Sequence, residues 1–428
     1  MLKKVEPYRV IASGFIISII IGGILLWLPI SHKNDVAVSL VDAFFTTISC
    51  ICVTGLSTID AANTFNLFGV TVMAILIQIG GLGIICAGLS IILLAGQKIG
   101  IKERVLIKDS LNLNSLKGIV KLVLTIFKVT FIIELIGAIL SFLVFKNYYE
   151  LWDALVISVF HSISAFNNAG FDLIGNFQNL LMFKDNILLN VTTALLIIIG
   201  GLGFLVIKDF LEKKDFKHLT LHSKIVIKTT LILIIAGTLL LKVSQNISWL
   251  GAFFMSVSTR TAGFNTVPME SFNKFGLTIM MVFMFIGASP SSTGGGIKTT
   301  TFYTLIKGTY SVCTNKRCHA FKRHISDEII NRAFIVLFLG LIIVCLSTLS
   351  LCTIESDINF IDLMFESVSA FGTVGLSTGI TPTLKVGSKI TIMIVMFFGR
   401  VGPLTLLSVW SKKGKKHVNY PEENILIG

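Results

Sequence analysis

The sequence predicts an all-α polytopic membrane protein made of four tandem units, each a span, a short re-entrant helix and a second span. Three observations carry that expectation. The chain of 428 residues is 54% hydrophobic and only 14% charged, where a soluble domain would carry roughly a quarter charged residues. Apolar runs of about 20 residues recur along it, long enough to cross a hydrocarbon core of ~30 Å. One short motif, an apolar stretch punctuated by serine and closed by glycine, occurs four times.

Eight crossings follow, at about 9–30, 68–95, 123–145, 187–207, 229–241, 275–306, 333–352 and 388–411. Val10–Ile30 has no A-x-A-like cleavage site after it and reads as a retained span. With the N-terminus inside, 25 of the 36 Lys and Arg residues fall in inner segments and 7 in outer ones. The other four, Lys128, Arg260, Lys298 and Arg400, lie at membrane depth. Such a bias places both termini in the cytoplasm. The net charge of +13 is then mainly a topology signal, with contact to anionic membrane lipids secondary, and no nucleic-acid partner is needed. The seven cysteines are scattered. Cys313 with Cys318-His319 lacks a fourth ligand and the usual zinc spacing, so free thiols are expected.

The repeated motif divides the chain into units at 1–110, 111–215, 216–322 and 323–411, with a tail at 412–428. Its copies read DAFFTTISCICVTGLST (42–58), WDALVISVFHSISAFNNAGFD (152–172), WLGAFFMSVSTRTAGFNT (249–266) and IDLMFESVSAFGTVGLST (361–378). Each ends in a glycine followed by Leu or Phe: Gly55, Gly170, Gly263 and Gly375. Downstream of each, a second apolar run bears its own glycine cluster: QIGGLGI (78–84), IIGGLGF (198–204), FIGASPSSTGGGI (285–297) and FFGRVGPL (397–404).

The segments before the four glycines are too short to span a bilayer at ~1.5 Å rise per residue. They can descend as a helix and return as an extended strand. Non-helical backbone at that depth is tolerated where it is buried in protein or lines water. Four such re-entrant pore loops, arranged pseudo-fourfold around one central pore, would present a ring of backbone carbonyls able to replace the hydration shell of an alkali cation. The helices would aim their negative C-terminal ends at the same axis. Glycine lets the carbonyls turn inward without a Cβ in the pore. The expected selectivity filter is Val53-Thr54-Gly55, Asn168-Ala169-Gly170, Thr261-Ala262-Gly263 and Thr373-Val374-Gly375, with potassium held at the four glycines. TRTAG is one residue shorter after its last serine than the other loops, so the ring need not be truly fourfold.

On these filter segments, on GASPSSTGGGIKTT and FFGRVGP, and on the closing YPEENILIG, the whole chain resembles the Trk/Ktr/HKT superfamily of potassium transporters, and within it the Ktr membrane subunit. The resemblance implies a homodimer in the plasma membrane, each protomer with its own pore, docked on a cytoplasmic ring of nucleotide-binding regulatory subunits. It implies no covalent cofactor and favours potassium, because all four filter positions are glycine. Sodium as a regulator or co-ion stays open. A first span beginning near residue 9 fits the shorter, four-unit type.

The third unit's second span carries Gly287-Ala288-Ser289-Pro290-Ser291-Ser292-Thr293-Gly294-Gly295-Gly296, then Ile297 and Lys298. Proline and three successive glycines are poor helix residues, so this span should break near its middle. The resemblance places a gating loop here. A merely kinked helix is the alternative. The segment fails as a phosphate-binding loop, because Ile297 separates Gly296 from Lys298 and no soluble strand precedes it.

Arg400 interrupts an apolar span, where an ionisable side chain is costly and usually functional. It is expected as the pore-lining partner of the gate, or else as a buried arginine satisfied by Glu366 or by Ser and Thr. Lys298 faces the pore or snorkels inward. Arg260 should brace the third loop, with Glu366 and Asp362 as candidate counter-charges. Glu134 and Lys128 lie six apart on one span and should not face each other, so each is expected to pair elsewhere in the interior; His161 reads as a satisfied helix histidine. The function expected is channel-like uptake of monovalent cations, with an alternating-access secondary transporter as the alternative. No cluster of His, Asp, Glu or activated Ser suggests an enzyme.

Overall fold

The structure, a computed structural model, describes residues 7–33, 36–83, 86–87, 100–101, 104–105, 108 and 118–402. The tail at 412–428, with YPEENILIG, and most of the inner segment 98–121 lie outside the described residues.

A long helix, a short helix and another helix follow one another repeatedly. α1 (Pro7–Trp27), α2 (Leu40–Ile51) and α3 (Leu67–Leu82) come first. Next are α4 (Ile119–Phe145), α5 (Leu151–Phe166), α6 (Ile187–Leu202) and α7 (Phe204–Lys213). The third set is α8 (Leu221–Ser244), α9 (Trp249–Ser258), α10 (Lys274–Phe285) and α11 (Thr299–Thr314). α12 (Asp327–Ile354), α13 (Phe360–Gly372) and α14 (Val386–Val401) complete it. A two-stranded hairpin, β1 (His319–Ala320) with β2 (Arg323–His324), sits between α11 and α12.

Local chemistry sets where these helices start. Serine side chains cap two of the short helices, Ser39 accepting from the Asp42 amide and Ser248 from the Gly251 amide. Asparagines cap three of the helices that follow: Asn66, Asn186 and Asn273. Each satisfies an amide that the first helical turn leaves without a partner.

Glycine sets where three of them stop. α3, α6 and α14 end against Gly83, Gly203 and Gly402, at φ +83°, +92° and +90°. Within the expected crossings 68–95, 187–207 and 388–411 the helices stop at Leu82, Leu202 and Val401, and α6 and α7 meet at 94° across Gly203; 88–95 and 403–411 lie outside the described residues. A left-handed residue cannot continue a right-handed helix, and glycine takes that conformation without a Cβ penalty. The sequence pattern GGLG held the signal at Gly83 and Gly203. The expected break in 275–306 falls between Phe285 and Thr299.

Packing closes the chain on itself. Each of α1, α4, α8 and α12 lies against the short helix that follows it. The remaining contacts run onward: α3 packs on α5, α6 on α9, α10 on α13, and α14 returns to α2. Phe45, Phe166, Phe254 and Phe371 are buried in the middle of this arrangement, while Ile17, Phe131, Ile235 and Phe338 stand on the outside, exposed. An apolar perimeter around a core that buries many hydroxyls and amides suits a bilayer rather than water. Among the described residues α4, α8 and α12 are long and apolar enough to cross a membrane, and α6 with α7 makes a fourth if its bend is counted within one span.

Candidate functional site

After each short helix the backbone makes the same turn. The residue two before each glycine is left-handed: Val53 at φ +56°, Asn168 at +59°, Thr261 at +74° and Thr373 at +50°. The glycines follow at +91°, +71°, +77° and +92°. Between them Thr54, Ala169, Ala262 and Val374 are fully buried. Alternation between left-handed and ordinary backbone lets successive carbonyls face one side. A β-branched residue at positive φ costs about 1–3 kcal/mol and persists only where its surroundings hold it.

Hydrogen bonds to the helix ends hold it here. The amides of Thr54, Ala169 and Val374 donate to the carbonyls of Ser49, Ser164 and Ser369 at 2.8, 2.7 and 2.9 Å. In the third segment Ala262 donates to Ser258, one residue nearer, at 3.0 Å. The shorter TRTAG therefore closes by a tighter turn. Ser49 Oγ and Ser369 Oγ also accept from the amides of Gly55 and Gly375, both at 3.1 Å.

The four glycines meet one another. A Cβ built on Gly55 would strike the carbonyl oxygen of Ala169; on Gly170, that of Ala262 at 2.7 Å; on Gly263, that of Val374; on Gly375, that of Thr54. Each glycine thus abuts the carbonyl just before the next glycine, in chain order, and the last returns to the first. No side chain fits at any of the four. Directly beyond the ring lies a cavity of about 250 Å³ lined by all four glycines, with the carboxylates of Asp60 and Asp172 in its wall.

On the opposite side the segment between α10 and α11 folds under the ring. It is anchored at its base by a short parallel bridge, Gly287 N to Ile297 O at 2.8 Å, and by Thr299 N to Ala288 O at 3.2 Å. Its middle is tied to neighbouring elements: Ser289 N donates to Gly201 O at 3.1 Å, Phe204 N to Ser291 O at 3.0 Å, and Gly295 N to Thr373 Oγ1 at 2.9 Å. Thr293 Oγ1 donates to Phe166 O at 3.3 Å. Gly294 lies so close to Thr261 Oγ1 that a Cβ would collide with it. The segment therefore touches the inner ends of the second, third and fourth glycine loops.

Arg400 reaches what those bonds do not. One guanidinium nitrogen donates to the carbonyl of Thr293, and the other to the carbonyls of Gly80 and, at 3.3 Å, Gly81. The alternative in which Glu366 or hydroxyls satisfy this arginine is overturned. Glu366 accepts from Ser377 and, at 2.9 Å, from Thr381 instead, on the segment after the fourth glycine. Those partners also leave Glu366 uninvolved with Arg260, which is buried with its Nε unpartnered. Lys298 folds its Nζ back onto the carbonyls of Gly294 at 2.6 Å and Gly295 at 3.4 Å. Two cations thus hold the same glycine-rich segment through its carbonyls. His161 is buried and bonded to Thr193 Oγ1 at 2.9 Å.

Sequence reasoning found the glycines and the broken segment but missed how they connect. Glu134 pairs elsewhere than with Lys128, as expected, and its partners are Gln78 and Asn167. Asp60 and Asp172 went unremarked, since a carboxylate in a connecting loop carries no signal of the cavity it lines.

A helical bundle with an apolar perimeter, closing on four glycine turns braced by buried cations, fits a membrane protein. The family model described as a cation transport protein, TrkH, matches residues 5–417. The chain belongs to this family. It is similar to the Ktr system potassium uptake protein B of Bacillus subtilis (strain 168), 38% identical, over 99% of this chain and 97% of the relative. The potassium/sodium uptake protein NtpJ of Enterococcus hirae is 36% identical over 100% of this chain and 98% of its own length. Among solved structures the potassium transporter TrkH from Vibrio parahaemolyticus shares the fold, with TM-score 0.72, 17% identity, and coverage of 96% of this chain and 86% of that one.

Proposed function

We propose that this protein takes up potassium through a carbonyl-lined filter formed by Val53–Gly55, Asn168–Gly170, Thr261–Gly263 and Thr373–Gly375. Gly287–Gly296 and Lys298 form the gate below it, and Arg400 is the gate's pore-side partner. The observation that carries the reading is the closed order of the glycines, each against the carbonyl preceding the next. Four span–pore helix–span units, at 1–110, 111–215, 216–322 and 323–411, then surround one pseudo-fourfold axis in eight crossings. The relatives' names, a potassium uptake protein and a potassium/sodium uptake protein, support the choice of ion.

A dehydrated cation in the ring exchanges water for backbone oxygen. Asp60 and Asp172 concentrate cations at the mouth, and a negative-inside membrane potential drives entry at ~2.3 kcal/mol per charge per 100 mV. The gate segment closes the path while Arg400 and Lys298 grip its carbonyls. A homodimer in the plasma membrane, both termini cytoplasmic, working with a cytoplasmic nucleotide-binding ring, is the assembly this reading carries; the Ktr system name of one relative supports a partner subunit. Sodium as regulator or co-ion belongs to the same proposal.

The test is potassium and sodium uptake in a potassium-uptake-deficient bacterium expressing the chain, with Gly55→Ser and with the gate segment shortened. Loss of discrimination in the first and faster uptake in the second are expected. Unchanged uptake in both removes filter and gate, and a saturable, strongly temperature-dependent rate would then favour alternating access.

A further inference from the structure

Behind the second filter segment, on the side away from the ring, three polar side chains from three elements form a triangle. Asn167, which closes α5 immediately before Asn168-Ala169-Gly170, donates from Nδ2 to Gln78 Oε1 of α3 at 2.7 Å and to Glu134 Oε1 of α4 at 3.0 Å. Gln78 Nε2 donates to Glu134 Oε2 at 3.2 Å. The same Asn167 nitrogen also lies 2.9 Å from Ile163 O, so its two hydrogens serve three acceptors. Glu134 is fixed in turn by its backbone, whose carbonyl accepts from Ser162 Oγ at 2.6 Å.

The arrangement turns Asn167 in one direction. With Nδ2 held by Glu134 and Gln78, Oδ1 faces Gly81, where a Cβ would strike it, and that oxygen is buried without a partner. Gly81 also offers its carbonyl to Arg400. The triangle therefore ties the base of one filter segment to the helix end that the gate's arginine grips. At the corresponding place, three residues before their glycines, the other segments carry Cys52, Arg260 and Gly372. Among the described contacts none of the three is tied to a carboxylate.

We infer that Glu134 is a positioning residue for ion discrimination, acting through Asn167 to fix the second filter segment. A carboxylate at membrane depth is costly, and as an acceptor-only group it takes one amide hydrogen on each oxygen. The inference deepens the filter reading above and rests on it.

The chemistry supplies its own control. In Glu134→Gln the new amide nitrogen must face Gln78 Nε2 or Asn167 Nδ2, donor against donor. In the exchange Gln78→Glu with Glu134→Gln the triangle can be redrawn with every bond kept: Asn167 donates to both residues, and residue 134 donates to residue 78. Potassium and sodium uptake would be measured in proteoliposomes, normalised to monodisperse protein, for Glu134→Gln, the double exchange and Gly170→Ser. Expected is a fall of about tenfold in the potassium-to-sodium ratio for Glu134→Gln, the worth of one hydrogen bond to a charged group, and recovery in the double exchange. Should Glu134→Gln not yield folded protein, Asn167→Ala is measured for the same loss. An unchanged ratio, or no recovery in a folded double exchange, overturns the inference. If Gly170→Ser also leaves the ratio unchanged, the filter reading falls with it; if Gly170→Ser alone changes it, only the role of Glu134 is lost.

Discussion

Arg400 donates to the carbonyl of Thr293 across 107 positions of sequence, while its other nitrogen holds Gly80. One side chain thereby joins the segment between α10 and α11 to α3. Arginine keeps its charge and offers a rigid fork of donors, which lysine does not.

Cutting that link should free the segment. Arg400→Gln is expected to raise potassium uptake in proteoliposomes without a cytoplasmic partner by roughly tenfold, from the loss of charge-assisted hydrogen bonds. Arg400→Lys should fall between, since a single ammonium can hold one carbonyl but not bridge two elements. A drop in uptake for both would assign the arginine to conduction instead.

The ring leaves no room for a methyl group. At Gly375, φ is +92° and a Cβ would meet the Thr54 carbonyl. Gly375→Ala is expected to abolish potassium-selective uptake while the protein still purifies as a single species, because displacing that carbonyl spoils the ring rather than the bundle around it. Wild-type selectivity in this variant would remove Gly375 from the filter.

External acid should slow uptake through Asp172. This carboxyl sits in the loop after Gly170, accepting from Ile174 N at 3.0 Å and Asn179 Nδ2 at 3.1 Å. Burial, with the charge of Asp60 nearby, raises it to about 6 against the pull of those amides. An acid so raised is charged above that pH and neutral below it. Uptake at limiting potassium should therefore decline as external pH falls from about 7 to about 5. Asp172→Asn should start low and show no such decline; a profile identical to wild type would clear Asp172.

Gly203 should matter to stability as well as to gating. A Cβ there would lie 2.6 Å from the Pro290 carbonyl, at φ +92°. Gly203→Ala is expected to destabilise the protein by roughly 1–3 kcal/mol, read as a lower thermal midpoint in detergent. It should also disturb the bond from Phe204 N to Ser291 O and with it the resting uptake rate. An unchanged midpoint would mean that the bend tolerates a side chain.

Much of this molecule is written locally. Four glycines after short helices, the matching clusters downstream and Pro290 with Gly294–Gly296 are features of neighbouring residues, and backbone preference acts over a few positions. Hence the turns, the broken third-unit span and the candidate filter were legible in the sequence. The helix stops at Gly83, Gly203 and Gly402 were legible too, but an apolar run reads the same whether it is straight or bent, and length alone hid them.

Only the tertiary structure decided who meets whom. Periodicity says which face of a helix is apolar, not which carbonyl a guanidinium will find. Arg400 went to Thr293 and Gly80 rather than to Glu366, Glu134 found Asn167 and Gln78, and Lys298 turned back onto its own segment. At membrane depth a charged or polar group must be satisfied by whatever the packed helices bring within about 3 Å. That choice is made when the last helix closes against the first, because the partners lie up to hundreds of residues apart and share no local pattern.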